Sequence, residues 1–204
     1  MIQPVVEGHG DLAAVPVLIR RVAERLGVPS VPIGRPIRRR RSEMVREDAI
    51  RRGVQLARRQ HGCRGILIIF DADDDCAGQP PISSAISWAK DEAKPLACSL
   101  VVAYREYEAW FTAGLEMLRG KRGLMNTAVS DDAPEARRGA KEYLGRFLPA
   151  GRGYVETTDQ PALTQMFDLD LAYERCRSFR KLVKELDLLL REGEQMTTQT
   201  WKER

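Results

Sequence analysis

The sequence predicts an α/β protein in which a parallel sheet of about four strands is followed by a helical C-terminal extension. Two apolar runs, at 66–70 and 98–103, are rich in branched residues, as is typical of strands that are buried on both faces. Helical apolar spacing separates the candidate strands, and this alternation indicates parallel strands joined by right-handed crossovers. Beyond residue 103 only helical patterns recur, so the sheet is expected to end there.

The first half of the chain supplies the predicted sheet and its connections. Strands are predicted at 2–6, 31–33, 66–70 and 98–103. Helices are predicted at about 11–26, 42–60 and 83–94. Asp11 and Ser42 are the expected N-caps, because their side chains can accept a bond from a free backbone N–H, and Gly27 is an expected C-cap.

The second half is predicted to be helical. Its helical patterns lie near 106–118, 136–147, 160–167 and 178–190. We expect a Rossmann-like core over 1–103 with an Arg-rich insertion at about 34–42. The helical extension over 104–192 is expected to pack on that core, and a polar tail over 193–204 is expected to fray.

Composition favours a soluble cytoplasmic protein. The chain has 204 residues, a net charge of +4 and 43% hydrophobic residues. No apolar run approaches the length of about 20 residues that spans a bilayer, and the N-terminus lacks the pattern of a signal peptide. The four cysteines are scattered without a paired spacing, which argues against a zinc site or a disulfide framework and favours reduced thiols.

Carboxylates follow three of the predicted strands. Asp71, Asp73 and Asp75 come after the strand at 66–70, Glu7 follows the first strand, and Glu108 follows the last. The carboxyl ends of parallel strands share one edge of the sheet, where ligands of α/β proteins bind. In extended backbone Asp71 and Asp73 would lie on the same side. Their repulsion predicts a hard divalent cation, Mg²⁺ or Mn²⁺, at this edge.

Two motifs resemble the TOPRIM domain of topoisomerases, primases and several nucleases. They are VVEGHGD at 5–11 and FDAD at 70–73, each at a predicted strand end. The resemblance covers about 2–103. It implies that Asp71 and Asp73 hold Mg²⁺ and that Glu7 acts as general acid or base or shares a second metal ion. Asp75 and Glu108 are candidates for further ligands.

A second resemblance extends into the helical half. The segments YREYEAWF at 104–111, TDQP at 158–161 and RSF at 177–179 are similar to an uncharacterised bacterial TOPRIM-like family. Members of that family are often encoded beside ATPases in defence-type operons. The resemblance implies an effector controlled by a partner ATPase.

Basic residues predict contact with nucleic acid. They are Arg38, Arg39, Arg40 and Arg41 of the insertion, together with Lys141 and Lys181. The Arg run precedes a predicted helix N-terminus, where cations gain nothing from the helix dipole, and this favours a polyanion as its partner. Such contacts with the phosphate backbone would depend on salt.

The sequence therefore predicts Mg²⁺-dependent hydrolysis of DNA or RNA phosphodiesters, in a protein that could form a homodimer. A non-catalytic module of the same fold that binds nucleic acid or an ATPase is the alternative from another class. A glycosyltransferase that uses Asp-x-Asp to hold a nucleotide diphosphate through a metal ion also stays open, as does a phosphatase with Asp71 as the nucleophile.

Overall fold

A computed structural model of the chain describes residues 1–191 and Trp201. It confirms the α/β fold, with a four-stranded parallel sheet in the order β2-β1-β3-β4. The strands are β1 at Ile2–Val6, β2 at Ile37–Arg38, β3 at Gly65–Asp71 and β4 at Ala97–Ala103. The two central strands, β1 and β3, are wholly or almost wholly buried, as expected for a sheet with helices on both sides.

Helices surround the sheet and form the C-terminal part. The α-helices are α1 at Asp11–Arg25, α2 at Arg41–Met44, α3 at Glu47–Arg58, α4 at Ile82–Ala93, α5 at Ala109–Thr112, α6 at Ala140–Gly145, α7 at Glu156–Thr164, α8 at Leu169–Arg175 and α9 at Arg177–Arg191. A short 3-10 helix spans Leu115–Leu118. Over the described residues, no helix combines the length and the apolar character that crossing a membrane requires.

Alternating side chains of the strands build two hydrophobic cores. Ile66, Ile68 and Phe70 face one side of the sheet, where α3 and α4 cover them. Leu67 and Ile69 face the other side, together with apolar residues of α1 and α9. Because successive strand residues point to opposite faces, a single apolar strand such as β3 serves both cores.

The second core joins the sheet to the C-terminal helices. Trp110, Phe111, Phe167 and Phe179 are fully buried and pack edge-on against one another, with ring centroids 5.3–5.8 Å apart. The indole Nε1 of Trp110 donates a hydrogen bond of 2.8 Å to the hydroxyl of Ser178 at the start of α9. The aromatic residues therefore fix the helical part against the sheet.

Several predicted elements differ in the structure. The strand expected at 31–33 is only a bridge between Ile2 and Ile33, and β2 lies further on. The helix expected at 42–60 is broken into α2 and α3, and Ser42 is not its N-cap, because the first turn begins at Arg41. The helix expected at 106–118 is shortened to α5 and the 3-10 turn. The polar tail lies outside the described residues except for Trp201, which is buried.

Candidate functional site

Three strands deliver carboxylates to one edge of the sheet. Strands β1 and β3 are neighbours in parallel register, with Val6 opposite Ile69, so Glu7 leaves the sheet beside Asp71. On the other side of β3, Asp71 pairs with Ala103 at the end of β4. The residues just after β4 therefore meet the end of β3, and the structure brings Glu7, Asp71 and Glu108 to the same edge.

Asp71 is held by backbone and surrounded by like charges. Its Oδ1 accepts a hydrogen bond of 2.9 Å from the backbone N–H of Tyr107. Burial raises the pKa of Asp71 well above its usual range, and the charges of Glu108, Asp11 and Glu7 raise it further, whereas Lys141 lowers it. Burial and neighbouring carboxylates therefore outweigh the single positive charge of Lys141 at Asp71.

Glu7 has an oxygen without a partner. Its Oε2 is shielded from solvent and has no hydrogen-bond donor. Burial raises the pKa of Glu7, as does the charge of Asp73, while Arg41 opposes the rise. A buried carboxylate oxygen without a donor costs free energy unless a ligand satisfies it.

The acidic run after β3 turns away from extended backbone. Asp73 has a left-handed backbone conformation, with φ of 52°, so it does not continue the strand alternation from Asp71. Its carboxylate is largely exposed and lies 3.8 Å from Arg41 Nε. Arg41 also pairs with Asp75, and its guanidinium stacks 4.9 Å from the centre of the Phe70 ring. Asp73 and Asp75 therefore share an internal counter-ion.

Arg41 is thus part of the acidic site rather than a free surface cation. The other three arginines of the run differ in their exposure and partners. Arg39 lies 3.6 Å from Glu43, whereas Arg38 and Arg40 are exposed at the end of the edge strand β2. Asp74 has separate partners, because it binds Arg105 and Arg138 at 2.9 and 2.8 Å.

Glu106 connects the end of β4 to helix α6. Its carboxylate accepts hydrogen bonds from the backbone N–H groups of Gly139, Ala140 and Lys141, at 3.0, 3.3 and 3.2 Å. These N–H groups belong to the start of α6 and have no partner inside the helix. Glu106 therefore fixes the beginning of α6, and with it the backbone that carries Lys141.

Glu108 lies at the centre of a buried polar cluster. Only 1% of its surface is exposed. Its Oε1 accepts a hydrogen bond of 2.9 Å from the Tyr154 hydroxyl, and its Oε2 lies 3.9 Å from Lys141 Nζ. Burial raises the pKa of Glu108 to about 7, although Lys141 and Tyr154 oppose the rise. The Lys141 ammonium also binds Glu156 at 2.6 Å.

Asp11 attaches α1 to α7 at the rim of the site. Its Oδ2 accepts a bond of 2.8 Å from Gly8 N–H, and its Oδ1 accepts one of 2.7 Å from Gln160 Nε2. Asp11 is the first residue of α1 rather than the residue before it, as the predicted N-cap would require. Burial raises its pKa.

Lys181 lies apart from these carboxylates. Its Nζ binds Glu185 at 2.6 Å on α9, and the other oxygen of Glu185 accepts a bond of 2.6 Å from Ser99. Ser99 is in the first half of β4, whereas the carboxylates of the candidate site lie beyond Ala103, the last residue of that strand. The structure therefore does not bring Lys181 to the candidate site.

The donor set agrees in chemistry with a hard divalent cation. Its groups are carboxylates, two of them have a buried oxygen without a hydrogen-bond donor, and burial raises the pKa values of Glu7, Asp71 and Glu108. In the conformation described for 1–191 and Trp201, however, no group of three or more His, Cys, Asp or Glu side chains is arranged so that it could hold a metal ion.

Sequence reasoning placed Glu7, Asp71 and Glu108 but not the residues that organise them. Lys141 and Tyr154 contact Glu108 from more than 30 positions further along the chain. No local sequence pattern predicts these contacts. Asp11 was assigned only a capping role. The sequence also places Glu106 at this edge, because it follows the last predicted strand together with Glu108, but it does not indicate that Glu106 binds the start of α6.

The comparisons with known proteins give one positive result. No curated protein and no solved structure matches the chain. A family model described as Domain of unknown function (DUF4276) matches residues 6–187, a range that contains every strand but the first four residues of β1 and nearly all of the C-terminal helices. The chain therefore belongs to the DUF4276 family.

Proposed function

We propose that the protein is a TOPRIM-like enzyme that hydrolyses phosphodiesters of DNA or RNA with Mg²⁺ or Mn²⁺. The observation that carries this proposal is the pair of carboxylates at the ends of β1 and β3. Glu7 and Asp71 lie side by side, their pKa values are raised, and Glu7 Oε2 lacks a donor. A divalent cation would relieve both their repulsion and their desolvation.

Each residue has a distinct role in this proposal. Asp71 and Asp73 would hold the ion, with Asp75 and Glu108 as further candidates. A bound Mg²⁺ or Mn²⁺ polarises a phosphoryl oxygen and lowers the pKa of water. The pKa of Glu7 is raised toward neutral pH, and a base with such a pKa is suited to accept the proton of the attacking water.

The exposed arginines provide a path for the nucleic acid. Arg38 and Arg40 lie at the end of β2, next to the end of β1 from which Glu7 emerges. Their guanidinium groups can form paired hydrogen bonds with phosphate oxygens. They would hold the backbone without reading its sequence. Lys181, on α9, has no part in this contact.

The nuclease proposal is tested with matched carboxylate variants. Labelled DNA and RNA are incubated with wild type, Asp71→Asn, Glu7→Gln and the control Asp91→Asn, each in Mg²⁺, Mn²⁺ or EDTA. Asp91 is exposed on α4, where it binds Lys94, and it lies outside the carboxylate site. We expect metal-dependent cleavage by wild type and the control, and a loss of at least about 100-fold in both site variants. Binding of metal without cleavage of any substrate would defeat the proposal.

A non-catalytic binding module is the second candidate, and one observation favours it. Arg41 already neutralises Asp73 and Asp75, as a structural role for the acidic run would require. In that case Asp71→Asn and Asp73→Asn would leave nucleic-acid affinity unchanged, whereas Arg38→Gln with Arg40→Gln would weaken it and reduce its dependence on salt. Filter binding at several salt concentrations measures these affinities. The cleavage assay separates the two candidates, because only an enzyme loses activity in Asp71→Asn and Asp73→Asn.

We further propose that the protein acts in the cytoplasm, under the control of a partner ATPase and as a homodimer. The four cysteines are free thiols, which supports a reducing compartment. The ATPase is suggested by the family resemblance. Cleavage assays with and without an ATPase encoded beside the protein test the control, and light scattering measures the mass of the particle.

A further inference from the structure

Lys141 is held inside the carboxylate site. Its Nζ lies 2.6 Å from Glu156 and 3.9 Å from the buried Glu108, and its charge lowers the pKa of Asp71. The sequence predicted a lysine that contacts phosphate from the surface. The structure instead surrounds this ammonium with carboxylates from the ends of β3 and β4 and from α7.

The backbone presents Lys141 to the site in a fixed position. Glu106 accepts three hydrogen bonds from the first turn of α6, including the one from the backbone N–H of Lys141. Tyr107, the next residue, donates its N–H to Asp71, and Glu108 follows. Three consecutive residues after β4 therefore bind the lysine backbone, the central aspartate and the lysine ammonium.

Glu108 has a buried carboxylate oxygen that no hydrogen bond satisfies. It is almost fully buried, and its Oε2 has no hydrogen-bond partner because Lys141 Nζ stays beyond hydrogen-bond distance at 3.9 Å. One ammonium therefore serves Glu108, Glu156 and Asp71 without satisfying all of their oxygens. Glu156 has a direct contact with the Lys141 ammonium, whereas Glu7 keeps a buried oxygen without a hydrogen-bond donor.

We propose that the Lys141 ammonium is a built-in cation of this site, so that the protein binds one divalent metal ion, near Asp71 and Glu7, rather than two. This inference rests on the metal-dependent function proposed above. A second divalent ion beside Glu108 would have to approach the ammonium, and the like charges would repel each other. Lys141 is thus a positioning residue, which orients Glu108 and takes the place that a second ion would occupy.

The test counts metal ions bound by the full-length protein. Titration with Mn²⁺, followed by calorimetry and by the electron paramagnetic resonance of free Mn²⁺, is expected to give one ion per wild-type chain. Lys141→Met keeps an unbranched side chain but removes the charge. It should bind a second ion, or bind the first at least about tenfold more tightly. Lys141→Arg should restore one ion with wild-type affinity.

Lys181→Met is the matched control, because Lys181 also binds a glutamate but lies far from Asp71 along β4 and α9. It should bind one ion with wild-type affinity. Two ions on wild type, or unchanged or weaker binding by a folded Lys141→Met, would overturn the inference and leave the nuclease proposal standing. One ion without cleavage of any nucleic acid would support the inference and overturn the nuclease. A wild type that binds no Mn²⁺ would overturn both.

Discussion

At the scale of single residues, the site is a place where negative charge has been buried without full compensation. Burial raises the pKa values of Glu7, Asp11, Asp71 and Glu108, and the charges of neighbouring carboxylates contribute to the rise in all four. Opposing charge comes from Arg41 on one side and Lys141 on the other. Such a site lowers the free energy of unfolding of the metal-free protein, and a bound cation would raise it again.

This cost predicts a pH dependence of stability to which Glu108 contributes. A carboxyl with a higher pKa in the folded chain binds more protons there than in the unfolded chain, so stability falls as pH rises through that interval. For Glu108 the interval runs from its usual value of 4.5 to about 7. In EDTA, the free energy of unfolding of wild type relative to Glu108→Gln should therefore fall by roughly 1–3 kcal/mol between pH 5 and pH 8.

Urea denaturation at four pH values measures this difference. Gln keeps an oxygen that can accept the Tyr154 hydrogen bond, so the comparison isolates the charge. Glu116→Gln is a suitable control, since Glu116 is exposed and outside the cluster. Parallel stability curves for wild type and Glu108→Gln would show that the buried carboxyl does not titrate in this interval.

Gly10 predicts a steric effect at the rim of the site. A Cβ at this position would lie 2.7 Å from the backbone oxygen of Glu156 and would also collide with the Gln160 side chain. Gly10→Ala should therefore push α1 from α7 and cost about 1–3 kcal/mol. Gly145→Ala is the matched control, because no atom lies within 4 Å of its added Cβ, and it should be neutral or slightly stabilising. Equal melting temperatures for the two variants would contradict the tight contact.

The sequence allowed part of this site to be predicted, for reasons that can be stated residue by residue. Glu7 and Asp71 follow apolar strands, and parallel pairing is enough to bring them to one edge. The expected alignment of Asp71 with Asp73 assumed extended backbone, which ends at Asp71 and is replaced by a left-handed turn. Lys141 could not be placed, because its position depends on Glu106 reaching across 35 positions to α6.

At the scale of elements, short segments around the site are held by side chains rather than by their own helical propensity. Helix α2 has a single turn, and Arg41 at its start reaches the acidic run after β3. Met44 at its end is buried against the sheet. The sequence predicts a continuous helix here because apolar residues recur at helical spacing from Val45 to Ala57. In the structure the helix is interrupted at Arg46, and the short α2 makes the long-range contacts of Arg41 and Met44. The local sequence does not predict these contacts.

Helix α6 provides the clearest test at this scale. It is too short to be stable alone, and Glu106 satisfies the N–H groups of its first turn. Glu106→Ala should cost about 1–2 kcal/mol. It should also strengthen Mn²⁺ binding or admit a second ion, as expected for Lys141→Met, because the Lys141 ammonium would no longer be held beside Glu108. Glu142→Ala, at an exposed position in the same helix, should change neither quantity. If Glu106→Ala binds Mn²⁺ like wild type, α6 does not organise the site.

At the scale of the whole molecule, the sheet and the C-terminal helices share one core. Leu67 and Ile69 of β3 belong to the same apolar cluster as Trp110 and Phe179. The sequence separated a core over 1–103 from an extension because strand patterns stop at Ala103. Composition alone could not show how much of the sheet face depends on the extension, since that face is covered by residues more than 70 positions beyond the last strand.

This shared core predicts that the molecule unfolds as one unit. Phe179→Ala would remove a fully buried ring from α9 and should cost about 3–5 kcal/mol, whereas Leu188→Ala, at an exposed position on the same helix, should stay within about 0.5 kcal/mol of wild type. In a Trp88→Phe background, fluorescence reports Trp110 and Trp201, which both lie in the shared core, and far-UV circular dichroism reports the helices of the whole chain. The two urea transitions should coincide in wild type and shift together in Phe179→Ala, as for a two-state domain. An earlier fluorescence transition would mean that the C-terminal helices detach while the sheet persists, and Lys141 would then leave the carboxylate site before the fold is lost.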